Sequence, residues 1–149
     1  MDLLQTRIKD DMKTSMREKN KVRLGVIRLI LAAIKQREVD ERVVLDDEQV
    51  VIVLDKMLKQ RRESIKQYTA ANRQDLADVE VVEIGIIQEY LPQSLSDEEI
   101  ISLIEEAVSE TGAASIKDMG KVMGLLKPKM LGRADMSGVS VKIKEILTA

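Results

Sequence analysis

The sequence predicts an all-α protein: an N-terminal bundle of long antiparallel helices followed by a small three-helix C-terminal domain. Three observations carry that expectation. Aromatic residues make up 1% of the chain, two tyrosines with no Phe or Trp, so the core must be built from Leu, Ile, Val, Met and Ala. Such aliphatic cores suit helix-on-helix packing, and Leu, Met, Ala, Lys, Glu and Gln are strong helix formers. Apolar residues recur at helical spacing over long segments, and a proline at 92 interrupts them.

The first helix is expected from about Asp2 to Lys19, with Leu4, Ile8, Met12 and Met16 every four residues. After "NK" a second runs from about Val22 to Glu38. Val26, Ile27, Leu29, Ile30, Leu31 and Ile34 give it a wide apolar arc, which marks it as the central helix. The polar stretch Asp40 to Asp46 breaks the pattern. "LDDEQ" supplies an N-cap aspartate and acids for a first turn, where they complement the helix dipole. A third helix is expected over Asp47 to Ala71, carrying Val50, Leu54, Met57, Leu58, Ile65 and Tyr68. "NRQD" reads as a break with Asp75 as cap. A fourth then runs to Leu91 with Val79, Val82, Ile86 and Tyr90 on its face. Its end is set by Pro92, which biases the preceding residue away from helix.

Beyond Pro92, "PQSLSDEE" reads as a linker into a new helix, with Ser96 and Glu99 as a capping box. That fifth helix is expected to stop after Thr111 at Gly112, the residue type preferred just past a helix end. Ser115 is a candidate cap for a sixth, and a seventh covers Val139 to Leu147. The boundary gives two domains, 1–92 and 93–149. Residues 1–92 hold 17 basic and 17 acidic side chains, net 0. Residues 93–111 carry six acids and no base, while 112–149 carry seven bases and three acids, net +4.

That basic segment contains "DMGKVMGLLKPKMLGRAD", Asp118 to Asp135. On a helical wheel Ile116, Met119, Met123, Leu126 and Met130 form a core stripe. Lys117, Lys121, Gly124 and Pro128 share another face, with Gly120 between the two. Pro128 is expected to end or kink the helix near Lys127, leaving a turn that carries Lys127, Lys129 and Arg133, with Gly132 supplying a turn conformation. Two helical glycines four residues apart cost helix stability. They read either as close helix crossing or as a surface where a partner approaches. Five cations with Asp118 alone among them make a candidate anion site, most naturally for nucleic-acid backbone: Lys117, Lys121, Gly124, Lys127, Lys129 and Arg133. Stacking platforms for base readout are absent. A second basic stretch, Lys59, Arg62 and Lys66, reads as solvated helix surface.

The composition excludes several chemistries. There is no histidine and no cysteine, hence no imidazole base, no thiol nucleophile and no thiolate metal ligand. "GKVMG" lacks the spacing of a phosphate-cradling P-loop. Neighbouring acids such as Asp10–Asp11 diverge on a helix. The expectation is therefore no catalytic residue, no cofactor and no metal. The amphipathic, charged N-terminus "MDLLQTRIKDDMK" does not read as a signal peptide, and no apolar run reaches membrane-spanning length. A cytoplasmic protein without membrane association is expected.

"EYLPQSLSDEEI", "DMGKVMG" and "LGRAD" resemble the signature of the YqeY-like family. The C-terminal part is similar to the tail domain of the B subunit of tRNA-dependent amidotransferase. The resemblance implies an all-α two-part protein, a tRNA partner, and association with glutamine-dependent amidotransferase (carbon–nitrogen ligase) activity. The chain lacks the domains that perform that activity. By position the motif falls on Asp118 to Gly124, then Pro128, Gly132, Arg133, Ala134 and Asp135. Leu131 stands where the family usually has lysine, and Met136 where it usually has glycine. The functional expectation is a non-catalytic tRNA-binding or aminoacylation-linked accessory protein. The alternative is a protein–protein adaptor, with a partner in tRNA aminoacylation or amidation possible.

Overall fold

The computed structural model describes residues 3–148. Among them are seven α-helices, one short 3-10 helix and no strand. The chain divides into two compact units, Met1–Leu91 and Pro92–Ala149.

The first unit holds α1 (Leu3–Arg17), α2 (Lys21–Glu41), α3 (Asp47–Ala70) and α4 (Gln74–Gln88). The expected start at Asp2 lies outside the described residues. Asn20 caps α2 by accepting from the Arg23 amide at 3.2 Å. Asp46 caps α3 by accepting from the Gln49 amide at 2.9 Å, with Asp47 and Glu48 in the first turn. Ile27, Ile30 and Ile34 of α2 are buried with Ile8, Val50, Leu54 and Ile87. Helix α2 packs on each of the other three helices, which its wide apolar arc requires.

Several positions differ from the sequence pattern, each for a physical reason. Met16 is half exposed; Gln5 and Ser15 take the inner face of α1 instead. Gln5 does so because the loop after α2 offers it partners. Its Nε2 donates to the Leu45 carbonyl at 3.0 Å and to Glu38 at 3.1 Å. Glu38 in turn accepts from the Leu45 amide at 2.8 Å, and these two hydrogen bonds hold its carboxyl below the usual range. Asp75 is not a cap. The N-cap of α4 is Arg73, which makes no side-chain cap and instead binds Asp75 through two hydrogen bonds.

Val79 and Val82 also face outward, 54% and 53% exposed, while Ala77 and Ile87 are buried. Helix α4 is apolar around most of its circumference, so periodicity alone cannot choose the inner face. Arg61 chooses it. Its guanidinium meets Glu83 at 3.0 Å and Glu80 at 3.9 Å, which turns that side of α4 toward α3.

Helix α4 ends in a polar cluster that sequence periodicity does not reveal. Tyr90 is 3% exposed, and its hydroxyl donates to Asp11 at 2.6 Å. Arg23 pairs with Glu89 and donates to the Tyr90 oxygen at 3.3 Å. Arg7 donates to the Glu89 carbonyl at 2.9 Å and lies over the Tyr90 ring. Burial first, and then the Asp11 hydrogen bond, push the Tyr90 hydroxyl well above its ordinary value.

The second unit holds α5 (Asp97–Thr111), the 3-10 helix Ile116–Asp118, α6 (Met119–Met130) and α7 (Met136–Thr148). Ser96 caps α5 by accepting from the Glu99 amide at 3.1 Å, and its hydroxyl donates to the Glu99 carboxylate. Gly112 ends α5 at φ 67°. The three α-helices pack pairwise around Ile100, Ile104, Val122, Leu126, Met130, Val139 and Ile143. Each such burial contributes roughly 1.5–3 kcal/mol over exposure.

Tyr90→Phe removes one charge-assisted hydrogen bond and is expected to destabilise the first unit by about 1–2 kcal/mol. Because the folded state holds the neutral phenol, this contribution is complete below about pH 10 and fades as pH rises beyond it. Thermal unfolding by circular dichroism checks both. The gap in Tm between wild type and variant should narrow above that pH. A Tm indistinguishable from wild type at neutral pH would contradict the cluster's role.

Candidate nucleic-acid interface

The residues singled out in the sequence lie on the 3-10 turn before α6, on α6 itself and in the turn after it. Ser115 and Asp118 form a capping box around the 3-10 helix: Asp118 accepts from the Ala114 amide at 3.0 Å and the Ser115 amide at 3.4 Å. The Ala114 amide, then the Ser115 amide and the charge of Lys121, hold its carboxyl below the usual range. Its charge is thus directed at the backbone. Ile116 lies in that 3-10 stretch, out of phase with the α-helix, and is 42% exposed. The buried seam of α6 is Val122, Leu126 and Met130, with Met119 and Met123 half-buried beside it. Val122 was missed because the alternating steps 3, 4, 3, 4 from Ile116 land on Met123 instead, a phase set before the 3-10 entry shifted it.

Pro128 does not stop the helix at Lys127. Helix α6 continues to Met130, and Leu131 closes it with its amide on the Lys127 carbonyl. Only one helical hydrogen bond is lost, the one that a residue at 128 would return to Gly124. A glycine at that point removes the Cβ crowding around its carbonyl.

Lys117, Lys121, Lys127 and Lys129 are all exposed, as are Gly120, Gly124 and Pro128. None of the four lysines makes a direct ion pair among the described residues. A Cβ built on Gly120 or Gly124 would meet nothing within 4 Å. Close helix crossing, the packing explanation for these glycines, therefore does not hold. Both leave bare backbone toward solvent on the exposed side of α6, Gly124 one turn from Lys121.

Arg133 stands apart. Its Nε donates to the Gln93 carbonyl at 3.0 Å, and its own carbonyl accepts from the Leu95 amide at 2.8 Å. It fastens the segment before α5 to the turn before α7. The rest of "LGRAD" is also architecture. Gly132 is buried at φ 73°, and Asp135 accepts from the Ser137 amide at 3.3 Å at the head of α7. Met136 opens α7 and packs on the core. The structure thus places Lys121, Lys127, Lys129 and two glycines on α6, with Lys117 in the 3-10 turn before it, and gives Arg133 a structural task. The missed signal was the run of three small or turn-forming positions around Arg133: Gly132, Ala134 and Asp135.

An all-α protein with an exposed lysine–glycine face on a short helix is what these observations define. The sequence matches the family described as Yqey-like protein over residues 5–147, and the chain belongs to that family. It is 32% identical to altered inheritance of mitochondria protein 41, mitochondrial, of Pyrenophora tritici-repentis, over 96% of this chain and 80% of that protein. The protein of the same name from Meyerozyma guilliermondii is 43% identical over 59% of this chain. That of Vanderwaltozyma polyspora is 31% identical over 75%. The chain spans 46% of the Meyerozyma protein and 64% of the Vanderwaltozyma protein. The names correct the expectation of a cytoplasmic protein: these relatives are designated mitochondrial.

Gly120→Ala and Gly124→Ala should each stabilise the second unit by about 0.5–1 kcal/mol, since helix propensity improves and no neighbour is in the way. Gly132→Ala, at positive φ, should cost about 1–2 kcal/mol. Arg133→Ala should cost about 1 kcal/mol. Denaturant unfolding of the four variants checks these signs. Destabilisation by Gly124→Ala would contradict the open surface.

Proposed function

We propose that the chain is a non-catalytic RNA-binding accessory protein whose α6 face grips phosphate backbone, with tRNA as the RNA. The observation that carries this reading is the juxtaposition on α6. Lys121, Lys127 and Lys129 on α6, and Lys117 in the turn that opens it, make no direct ion pair among the described residues, and Gly120 and Gly124 leave bare backbone on the same helix. A phosphate chain needs cations and close access more than shape. Helical glycines that serve no packing supply the access. The small number of aromatic groups favours backbone recognition over base recognition.

The resemblance to the amidotransferase tail domain supports tRNA over other RNAs. In this reading the second unit is a three-helix tail-like module, carried after a bundle of long helices. In this reading amide transfer itself belongs to a partner enzyme; the chain supplies no imidazole base and no thiol nucleophile. Arg133 supports the module's shape and does not count among the phosphate contacts.

The test is the affinity for unfractionated tRNA as a function of salt. Reversing Lys117, Lys121 and Lys127 to Glu should weaken binding strongly and lower the slope of log K against log salt by about three. Arg133→Lys should leave the slope nearly unchanged. Equal slopes for wild type and the triple variant would remove α6 as the site.

A further inference from the structure

Two helices of the first unit keep apolar faces outward. On α2, Val22, Gly25, Leu29 and Ala32 follow one another at spacings of three, four and three, and all are exposed. Val22 is 59% and Leu29 51% exposed, and a Cβ at Gly25 would meet nothing within 4 Å. This is the spacing of a helix-pairing seam. It lies apart from the row Val26, Ile27, Ile30 and Ile34 that faces the core. Along its edge runs a row of exposed cations seven residues apart, Lys21, Arg28 and Lys35.

Helix α4 presents the counterpart. Val79, Val81 and Val82 are each more than half exposed, and Gly85 is open. The helix has no Lys or Arg, and Asp78 is exposed beside the valines, while Asp75 is paired with Arg73, the residue just before the helix. Three half-exposed valines on one helix make an apolar face of the kind that is ordinarily covered.

We propose that the chain forms a two-fold dimer in which the α2 seam of one copy lies on the outer face of α4 of the other. Charge selects this pairing. Two α2 seams together would set Arg28 and its neighbours against like charges, and two α4 faces would set acids against acids. Only α2 on α4 meets a cation row with an acidic helix around an apolar centre. Size complementarity adds to it, because Gly25 and Gly85 each leave room for a valine or leucine of the facing helix. Helices α2 and α4 pack on each other within one copy, so a two-fold axis makes the contact twice.

Sedimentation equilibrium of the full chain tests the proposal. Wild type should associate to twice its 16.8 kDa mass. Leu29→Glu and Val82→Glu, both at exposed positions, should keep their helical circular dichroism and weaken the dimer by at least about tenfold, since each buries a charge. Arg28→Glu should weaken it too, and adding Asp78→Arg should recover most of the loss. A wild type that stays monomeric at every concentration overturns the proposal. So does a dimer indifferent to Leu29→Glu and Val82→Glu, or a charge reversal that the second substitution fails to rescue.

Discussion

The first unit depends on the way Arg61 and Tyr90 fix helix α4. A helix with apolar side chains on most of its circumference can bury any of several faces at nearly equal gain. Aliphatic side chains do not decide between them. Ion pairs from Arg61 to Glu80 and Glu83 fix the rotation of α4, and the Asp11–Tyr90–Arg23–Glu89 cluster fixes its end. The exposed Val79 and Val82 follow from that choice, because the face that Arg61 turns inward leaves them outside. Their exposure is the cost of a determined orientation in the single chain, and in the proposed dimer it becomes the contact surface.

The second unit is built differently. Its helices are short and their ends are heavily specified. Ser96 and Glu99 start α5, Gly112 ends it, Ser115 and Asp118 start the next turn, and Gly132 with Asp135 joins α6 to α7. Arg133 then ties the entering segment back onto that junction. The result is a small scaffold that holds α6 with its apolar seam inward. Lysines and glycines are left outside; a Cβ at either glycine would meet nothing within 4 Å, and among the described residues no lysine there makes a direct ion pair. Helix stability is given up at Gly120 and Gly124 with no packing return among the described residues, and the proposed phosphate contact would account for it.

Helix existence was readable throughout, because caps and apolar periodicity are local. Asp46, Ser96 and Gly112 act as their residue types suggest. Rotations were readable only where one face alone is apolar. In α1, the loop at Leu45 gave Gln5 an inside position that no periodicity could announce. In α4, a distant arginine made the choice. In α6, a 3-10 entry shifted the phase and displaced Ile116 from the core stripe. Of the candidate residues, Lys117, Lys121 and Gly124 are exposed as the wheel suggested, whereas Lys127 and Lys129, expected in a turn, lie inside α6 because the helix runs on through Pro128. Arg133 looked like a fifth surface cation because its partner, the Gln93 carbonyl, is forty residues away and has no side-chain signature.

The central claim is that RNA meets this protein on α6. Backbone amide chemical shifts of the isotope-labelled chain, followed during titration with tRNA, locate the contact directly. Changes should concentrate on Lys117 to Lys129, with the Gly120 and Gly124 amides among the most affected, and they should diminish as salt is raised. Shifts confined to the first unit, or none at concentrations where tRNA binds, would contradict the account.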